Sequence, residues 1–301
     1  MPHASTNGIE TFYRVVGEGF PVLFIHGGLG GVASFLSGEI HDDLFGRRSP
    51  YLLICYERRG CGRKTSPSDS GYDLKTFAMD AKALLDHLDF QRVHLMGSSA
   101  GGPIAIRFAI DFPQMVESLV LVNTAPSLIP EDDLTLRIRK LVESLNRDGS
   151  EILYQRRPSD AQLDLAELWE RPNAARLGKL NWYEQRHQER LKTMESMSLQ
   201  ERACRYCAAF RMHDAYDHVD LTGELSRITA PTLIMHGARD LDIPIEGAHT
   251  LFRNIPTSEM HLFADLEHGL LSRERKEEVV DVILDFLGRI DRRKPIGEGV
   301  K

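Results

Sequence analysis

Between residues 92 and 110 the chain must pass from a buried strand to a helix through a glycine-bounded turn. Arg92-Val93-His94-Leu95-Met96 has the apolar content of a short strand, and Pro103 to Ile110 reads as a helix. The junction is Gly97-Ser98-Ser99-Ala100-Gly101, a G-x-S-x-G frame centred on Ser99. Ser98 is out of frame, because its own frame would need glycine at Met96. A turn this sharp lifts the Ser99 hydroxyl above the sheet, and the flanking glycines leave room for it. The backbone N–H of Ala100 then stands at a helix N-terminus, where a developing oxyanion is stabilised. The frame alone also occurs by chance, and a glycine-rich turn that only lets helix and strand pack closely would look the same. Partners for Ser99 elsewhere in the chain decide between the two.

The rest of the chain repeats this alternation. Pro21–Ile25 and Tyr51–Tyr56 are continuous apolar runs, as expected of strands covered on both faces. Ile9–Val16, Val116–Val122, Pro231–Met235 and Glu259–Phe263 predict further strands. A short helix fits between Ala33 and Phe45. An amphipathic helix opens at Asp73-Leu74, with Phe77, Ala81, Leu84, Leu85 and Leu88 on one face. Two more cover Pro244–Phe252 and Arg275–Ile290. Alternating strands and helices predict an α/β fold, a mostly parallel, doubly wound sheet with helices on both faces. From residue 127 to 225 the pattern stops. That stretch is charged, rich in Glu, Arg and Gln, and helical in period, with helices expected at Leu134–Leu145, Ala161–Trp169, Asn181–Met197 and Leu199–Met212. The expected organisation is a core of residues 1–126 and 226–301 with a helical cap, or lid, inserted at 127–225.

Composition narrows the function. The 301 residues carry a net charge of −7 and no basic stripe, which argues against nucleic acid; the basic run Arg289–Lys294 suits a solvated helix end. No apolar stretch approaches the roughly 18 residues of a membrane span, and the polar start resembles no signal peptide. Cys55, Cys61, Cys204 and Cys207 show no disulfide framework, which together with the missing signal points to the cytoplasm. Cys204-Arg205-Tyr206-Cys207 has no second pair or histidine at ligand spacing and reads as coincidence. No cofactor or metal is called for, and the oligomeric state stays open.

A serine hydroxyl is a poor nucleophile until a base takes its proton, and the base needs an orienting acid. Both belong in loops at the carboxyl ends of strands, the edge that holds Ser99. Asp240 lies just beyond the strand ending at Met235, with Pro244 restarting the chain as a helix, and is the preferred acid. Asp242 is the runner-up and better suits a capping or turn role; Asp265 is a third candidate, and neutral Asn123 is a weaker one. Of the histidines after Asp240, His249 falls in a helix and His261 in a strand, whereas His268 sits in a loop before Gly269 and is the candidate base. The second oxyanion donor is sought in His26-Gly27-Gly28-Leu29-Gly30-Gly31, with the Gly28 N–H first and Leu29 next. His26 reads as a structural residue that fixes this loop.

These residues resemble the serine α/β-hydrolases over nearly the whole chain. The matching pieces are His26-Gly27-Gly28, Arg59-Gly60-Cys61-Gly62-Arg63, Gly97-Ser98-Ser99-Ala100-Gly101, Leu233 to Asp240, and His268-Gly269. The resemblance implies the α/β-hydrolase fold with an eight-stranded sheet, a helical cap over the site, and Ser99, His268 and Asp240 in the roles of nucleophile, base and acid. Within the family, the loop from His26 and the run from Arg59 look most like proline iminopeptidases. The chain departs from those enzymes at Ala100, where they carry Trp, and at Leu29, where they carry proline. A small Ala100 widens the acyl pocket and suits a small ester, thioester or lactone. Aminopeptidase activity is the alternative; it would need a carboxylate pocket, for which Glu167, Glu170, Glu184, Glu195 and Glu201 offer exposed candidates. Trp169, Trp182, Tyr183 and Phe210 could line an apolar pocket or form the cap's own core.

Two other classes compete. Gly28-Leu29-Gly30-Gly31-Val32-Ala33 fits a dinucleotide fingerprint, with Glu57 at the end of the next strand, but that reading leaves Ser99, Asp240 and His268 unexplained. A non-catalytic or slow small-molecule receptor on the same fold is the other. A dehalogenase or epoxide hydrolase would place aspartate where Ser99 stands. The expected partner is a small-molecule acyl substrate.

Overall fold

The computed structural model describes residues 3–28, 49–61, 65, 71–128, 211–212, 215–216, 219–240, 242–272 and 275–292. The helices expected within 33–45 and 134–197, all of the Leu199–Met212 helix but its last two residues, which are helical, the Cys204/Cys207 pair, Leu29 and the cap's aromatic and acidic candidates lie outside these residues.

Eight strands form one sheet: β1 (His3–Thr6), β2 (Ile9–Val16), β3 (Phe20–Ile25), β4 (Tyr51–Tyr56), β5 (Val93–Ser98), β6 (Val116–Val122), β7 (Thr232–Gly237) and β8 (Ser258–Phe263), in the order β1-β2-β4-β3-β5-β6-β7-β8. β1 and β2, and β2 and β4, pair antiparallel. From β4 onward every pairing is parallel. The helices are α1 (Leu74–His87), α2 (Gly101–Asp111), α3 (Ile245–Asn254) and α4 (Lys276–Asp291).

The central strands are apolar throughout because both of their faces are covered. Alternate residues of a strand point to opposite sides. Leu23 and Ile25 of β3, Leu95 of β5 and Leu119 and Leu121 of β6 join a core with Phe77, Ala81, Leu84 and Leu85 of α1, Ile104 and Phe108 of α2 and Leu251 of α3. Their neighbours Val22, Phe24, Met96, Val120 and Val122 join a second core with Val279, Ile283, Phe286 and Leu287 of α4. α1 starts where Asp73 caps it, its side chain accepting the Thr76 N–H at 2.8 Å. Leu88, one of the expected inward residues, follows α1 as its C-terminal cap and packs partly buried on the first core.

Two boundaries differ from the sequence expectation. β5 runs on past Met96 through Gly97 to Ser98, and α2 begins at Gly101 rather than Pro103, so the turn between them shrinks to Ser99 and Ala100. The polar start of the chain also contains β1, which pairs with β2.

The register brings the carboxyl ends of β5, β6 and β7 level. Ser98 pairs with Val122, and Val122 with Met235. The backbone continues this ladder one residue further: Ser99 donates to Val122 O at 2.9 Å and Asn123 to Met235 O at 2.9 Å. Residues 126 and 221 also meet near this edge, where Leu221 N donates to Pro126 O at 3.2 Å, and Met212, Tyr216, Leu221 and Leu225 are buried in the first core.

Candidate active site

The turn at Ser99 is left-handed, with φ +51°. For a residue with a Cβ this conformation costs about 1–2 kcal/mol, so the surroundings must hold it. Besides the N–H bond to Val122 O, the Ser99 carbonyl accepts from Thr124 Oγ1 and from Gly102 N, both at 2.8 Å. The Ser99–Ala100 peptide is therefore fixed with its carbonyl turned inward, and the trans geometry aims the Ala100 N–H the opposite way. Close packing demands glycine beside it. A Cβ at Gly101 would stand 2.1 Å from Ile25 O, and one at Gly97 would stand 2.7 Å from Ala105 Cβ.

Asp240 and His268 come from the loops after β7 and β8, and the structure brings both to Ser99. His268 Nδ1 lies 2.8 Å from Asp240 Oδ2, and Nε2 lies 3.2 Å from Ser99 Oγ. An ionised carboxylate can only accept, so the imidazole proton sits on Nδ1 and leaves Nε2 free to accept from the hydroxyl. Asp240 is held at both oxygens. Oδ2 also accepts from Asn123 Nδ2 at 2.8 Å, and Oδ1 accepts the backbone N–H groups of Asp242 and Ile243, each at 2.9 Å. Burial alone would raise this carboxyl, but the bond and charge of His268, the Ile243 N–H and the nearby His236 outweigh it and hold the group below the usual aspartate value. Burial lowers the pKa of His236 itself, and its Nε2 lies 2.9 Å from Ile243 O.

Asp242 does not take the place of Asp240. Its carboxylate Oδ2 lies 4.0 Å from His268 Nε2, on the more exposed side. The turn-capping role that suited Asp242 falls to Asp240, whose Oδ1 closes the turn. Asp265 pairs instead with Arg275 on the surface, at 2.7 Å. His249 lies in α3 and His261 in β8.

The loop after β3 presses against the elbow. A Cβ on Gly27 would stand 2.9 Å from Ser99 Cβ, and Gly28 has φ +87°. His26 is buried beneath the loop, with Nδ1 on Gly27 O at 2.7 Å and Nε2 accepting from Arg58 N at 3.4 Å. Burial, reinforced by the Arg58 charge, lowers its pKa to about 3, so it stays a neutral imidazole.

The Thr124 hydroxyl and the buried Arg58–Tyr216 pair have no place in the sequence reading of the site, and Asn123, weighed there as a weaker acid, instead donates its amide to Asp240. Asn123 alone carried a signal, its position at a strand end on the same edge as Ser99. Among the described residues no group of three His, Cys, Asp or Glu side chains is placed to hold a metal ion. No helix among them is long and apolar enough to cross a membrane.

A mostly parallel sheet with a strained serine after a central strand, and an acid and a histidine in the loops after two later strands, defines an α/β architecture with these three side chains gathered at its carboxyl edge. Residues 21–272 match the alpha/beta hydrolase fold family, and the chain belongs to it. It is a hydrolase by family. A proline iminopeptidase of Lactobacillus helveticus is 29% identical over 305 residues, covering 94% of this chain and 96% of the relative. The non-heme chloroperoxidase CPO-A1 of Kitasatospora aureofaciens is 28% identical over 301 residues, covering 96% of this chain and all (100%) of the relative. Among solved structures, the enol-lactonase from Burkholderia xenovorans LB400 superposes with a TM-score of 0.69 at 20% identity, covering 95% of this chain and 100% of that one.

Proposed function

We propose that the chain is a serine hydrolase that cleaves a small ester, thioester or lactone through an acyl-enzyme. One observation carries the reading: His268 Nε2 stands 3.2 Å from Ser99 Oγ while its Nδ1 is anchored at 2.8 Å on a buried carboxylate. Ser99 Oγ attacks the substrate carbonyl carbon as His268 Nε2 takes the hydroxyl proton. The Gly28 and Ala100 N–H groups hold the resulting oxyanion, and Asp240 stabilises the imidazolium without taking its proton. Collapse of the tetrahedral adduct breaks the bond to the leaving oxygen or sulfur, which receives the proton from Nε2. Water, deprotonated by the same nitrogen, then releases the acid and restores Ser99. The small side chain of Ala100 leaves room for the acyl group beside the nucleophile. Residues 127–225 are proposed as the helical cap that selects it.

Aminopeptidase action on an N-terminal residue is the second reading, favoured by the full-length likeness to a proline iminopeptidase. A paired assay separates the two: p-nitrophenyl butyrate beside proline p-nitroanilide, each with Ser99→Ala as control. Ester turnover that disappears in Ser99→Ala, with the variant's circular dichroism unchanged, is the expected result. Anilide cleavage as efficient as ester cleavage would make the peptidase reading the better one. A Ser99→Ala protein with full activity would falsify the mechanism.

A further inference from the structure

Arg58, in the loop after β4, is a buried cation without a buried anion. Its residue is 1% exposed, and no carboxylate among the described residues pairs with it. A guanidinium in such a place is costly unless its donors are used. One nitrogen, Nη2, donates to Gly27 O at 3.2 Å and to Gly28 O. Another, Nη1, donates to Tyr216 Oη at 3.2 Å and lies 3.6 Å from Met212 Sδ. Tyr216 Oη in turn donates to Ala100 O. One side chain thus touches the loop after β3 directly and reaches the residue after Ser99 through a single hydroxyl.

We propose that Arg58 is a positioning residue that, with Tyr216, sets the two halves of the oxyanion hole; the proposal rests on the serine-hydrolase reading above. Peptide geometry gives the reason. The Gly27–Gly28 peptide is trans, so its carbonyl and the Gly28 N–H point in opposite directions. Drawing Gly27 O toward Arg58 and His26 turns the Gly28 N–H away from them. The flexible pair Gly27-Gly28 would otherwise rotate freely about its backbone dihedrals. Ala100 is held from both sides: Ser99 O is fixed by Thr124 and Gly102, and Ala100 O by Tyr216. The charge adds to the geometry. A cation on a peptide oxygen polarises the whole amide and makes its N–H a stronger donor, an effect favoured in a water-poor interior. Met212 and Tyr216 belong to the returning end of the inserted segment, so the same contact ties that segment to the oxyanion loop.

The test uses the full chain and an oxyanion mimic. Butylboronic acid adds to a serine Oγ as a tetrahedral anion, whereas butyrate binds without that bond. Arg58→Met is expected to lower kcat for p-nitrophenyl butyrate by roughly 10- to 100-fold, less than or comparable to the loss of one direct oxyanion donor. It should weaken butylboronic acid by a similar factor, while KM and the butyrate inhibition constant move less than about threefold. Arg58→Lys, which keeps the charge but not the fork, should fall between the two. Tyr216→Phe should lose several-fold in both kcat and boronate affinity. A merely structural Arg58 would lower activity through the amount of folded enzyme and leave boronate affinity unchanged; that outcome overturns the proposal, as does a kcat within twofold of the parent. If Arg58→Met does not fold, Arg58→Lys and Tyr216→Phe decide by the same ratio. Failure of the underlying reading looks different: the parent protein itself would show no Ser99-dependent turnover and no fluorophosphonate labelling of Ser99, and the proposal would fall with it.

Discussion

Asn123 stands under the Asp240 carboxylate and does two things at once. Its Nδ2 donates to Asp240 Oδ2 at 2.8 Å, and its Oδ1 accepts the N–H of Leu270 at 3.1 Å, two residues past His268. The amide therefore links the loop that brings the acid to the loop that brings the histidine. It does so from a left-handed backbone, φ +46°, that asparagine tolerates better than most side chains. Asn123→Gly keeps the backbone and removes the link. It is expected to lower kcat about tenfold with little change in KM, because the loss falls on the orientation of Asp240 and His268. Asn123→Ala removes the same link and adds left-handed strain, so it should unfold about 1 kcal/mol more easily than Asn123→Gly. Equal stability of the two variants in urea, or a kcat like the parent's, would sink this account. The strand-end positions of Ser99, Asp240 and His268 can be read from the chain because each follows an apolar run and precedes a helix. Asn123 has the same placement, but its use depends on what its neighbours need, and no local pattern carries that.

At the scale of elements, α1 is pinned to the sheet by a buried charge pair. Arg59 Nε and Nη2 reach Asp80 Oδ2 at 2.9 Å and Oδ1 at 2.8 Å, and the side chains are 4% and 2% exposed. Asn7 Nδ2 also donates to Asp80 Oδ1 at 2.7 Å, and Arg59 donates to Asn7 O at 2.9 Å, so the turn between β1 and β2 joins the cluster. Burial pushes the Asp80 carboxyl up by more than Arg59 and Asn7 pull it down. Such a pair contributes little net stability but is damaging to break. Asp80→Ala should destabilise by about 3–5 kcal/mol, since it strands a buried guanidinium. The double variant Arg59→Met/Asp80→Leu should recover a large part of that loss in urea denaturation. A double variant as unstable as the sum of the two singles would show the pair to be independent of each other. The same turn explains why β1 escapes a pattern reading. His3-Ala4-Ser5-Thr6 is too polar to announce a strand, although Ala4 and Thr6 are buried. The available signal was the turn itself: Asn7 and Gly8 have φ +46° and +81°, the pairing of a two-residue hairpin, and Asn-Gly is the preferred sequence for it.

For the whole molecule, the sheet and its helices follow from apolar periodicity, because strands covered on both faces must be apolar throughout and helices on those faces must be amphipathic. Substrate choice has no such regularity: the 127–225 stretch proposed as the cap carries a charged helical pattern, and such a pattern is compatible with many arrangements. What the folded whole does dictate is a response to acid. His26 is fully buried as a neutral ring with its pKa lowered from 6.5 to about 3, and His236 is lowered as well, in both cases first by burial. Between about pH 6.5 and 3 the unfolded chain binds a proton at His26 that the folded chain refuses. Stability is then fully present above pH 6.5 and lost as pH falls through that window, with a slope of about 1.4 kcal/mol per pH unit for one such group. His236 adds in the same direction below 6.5, and Asp240, lowered in the fold, adds below 3.8. Asp80, raised by burial, works the other way above 3.8, because the folded state takes up its proton first. Unfolding free energies from urea titrations at pH 8, 7, 6 and 5 should therefore be nearly level down to about 6.5 and then drop. His26→Gln keeps one donor and one acceptor but does not titrate. Whatever its stability at pH 7, its slope between pH 6 and 5 should be shallower than the parent's by nearly one proton. An unchanged slope would mean that His26 takes up its proton in the folded protein, and that the loop after β3 rests on a different support.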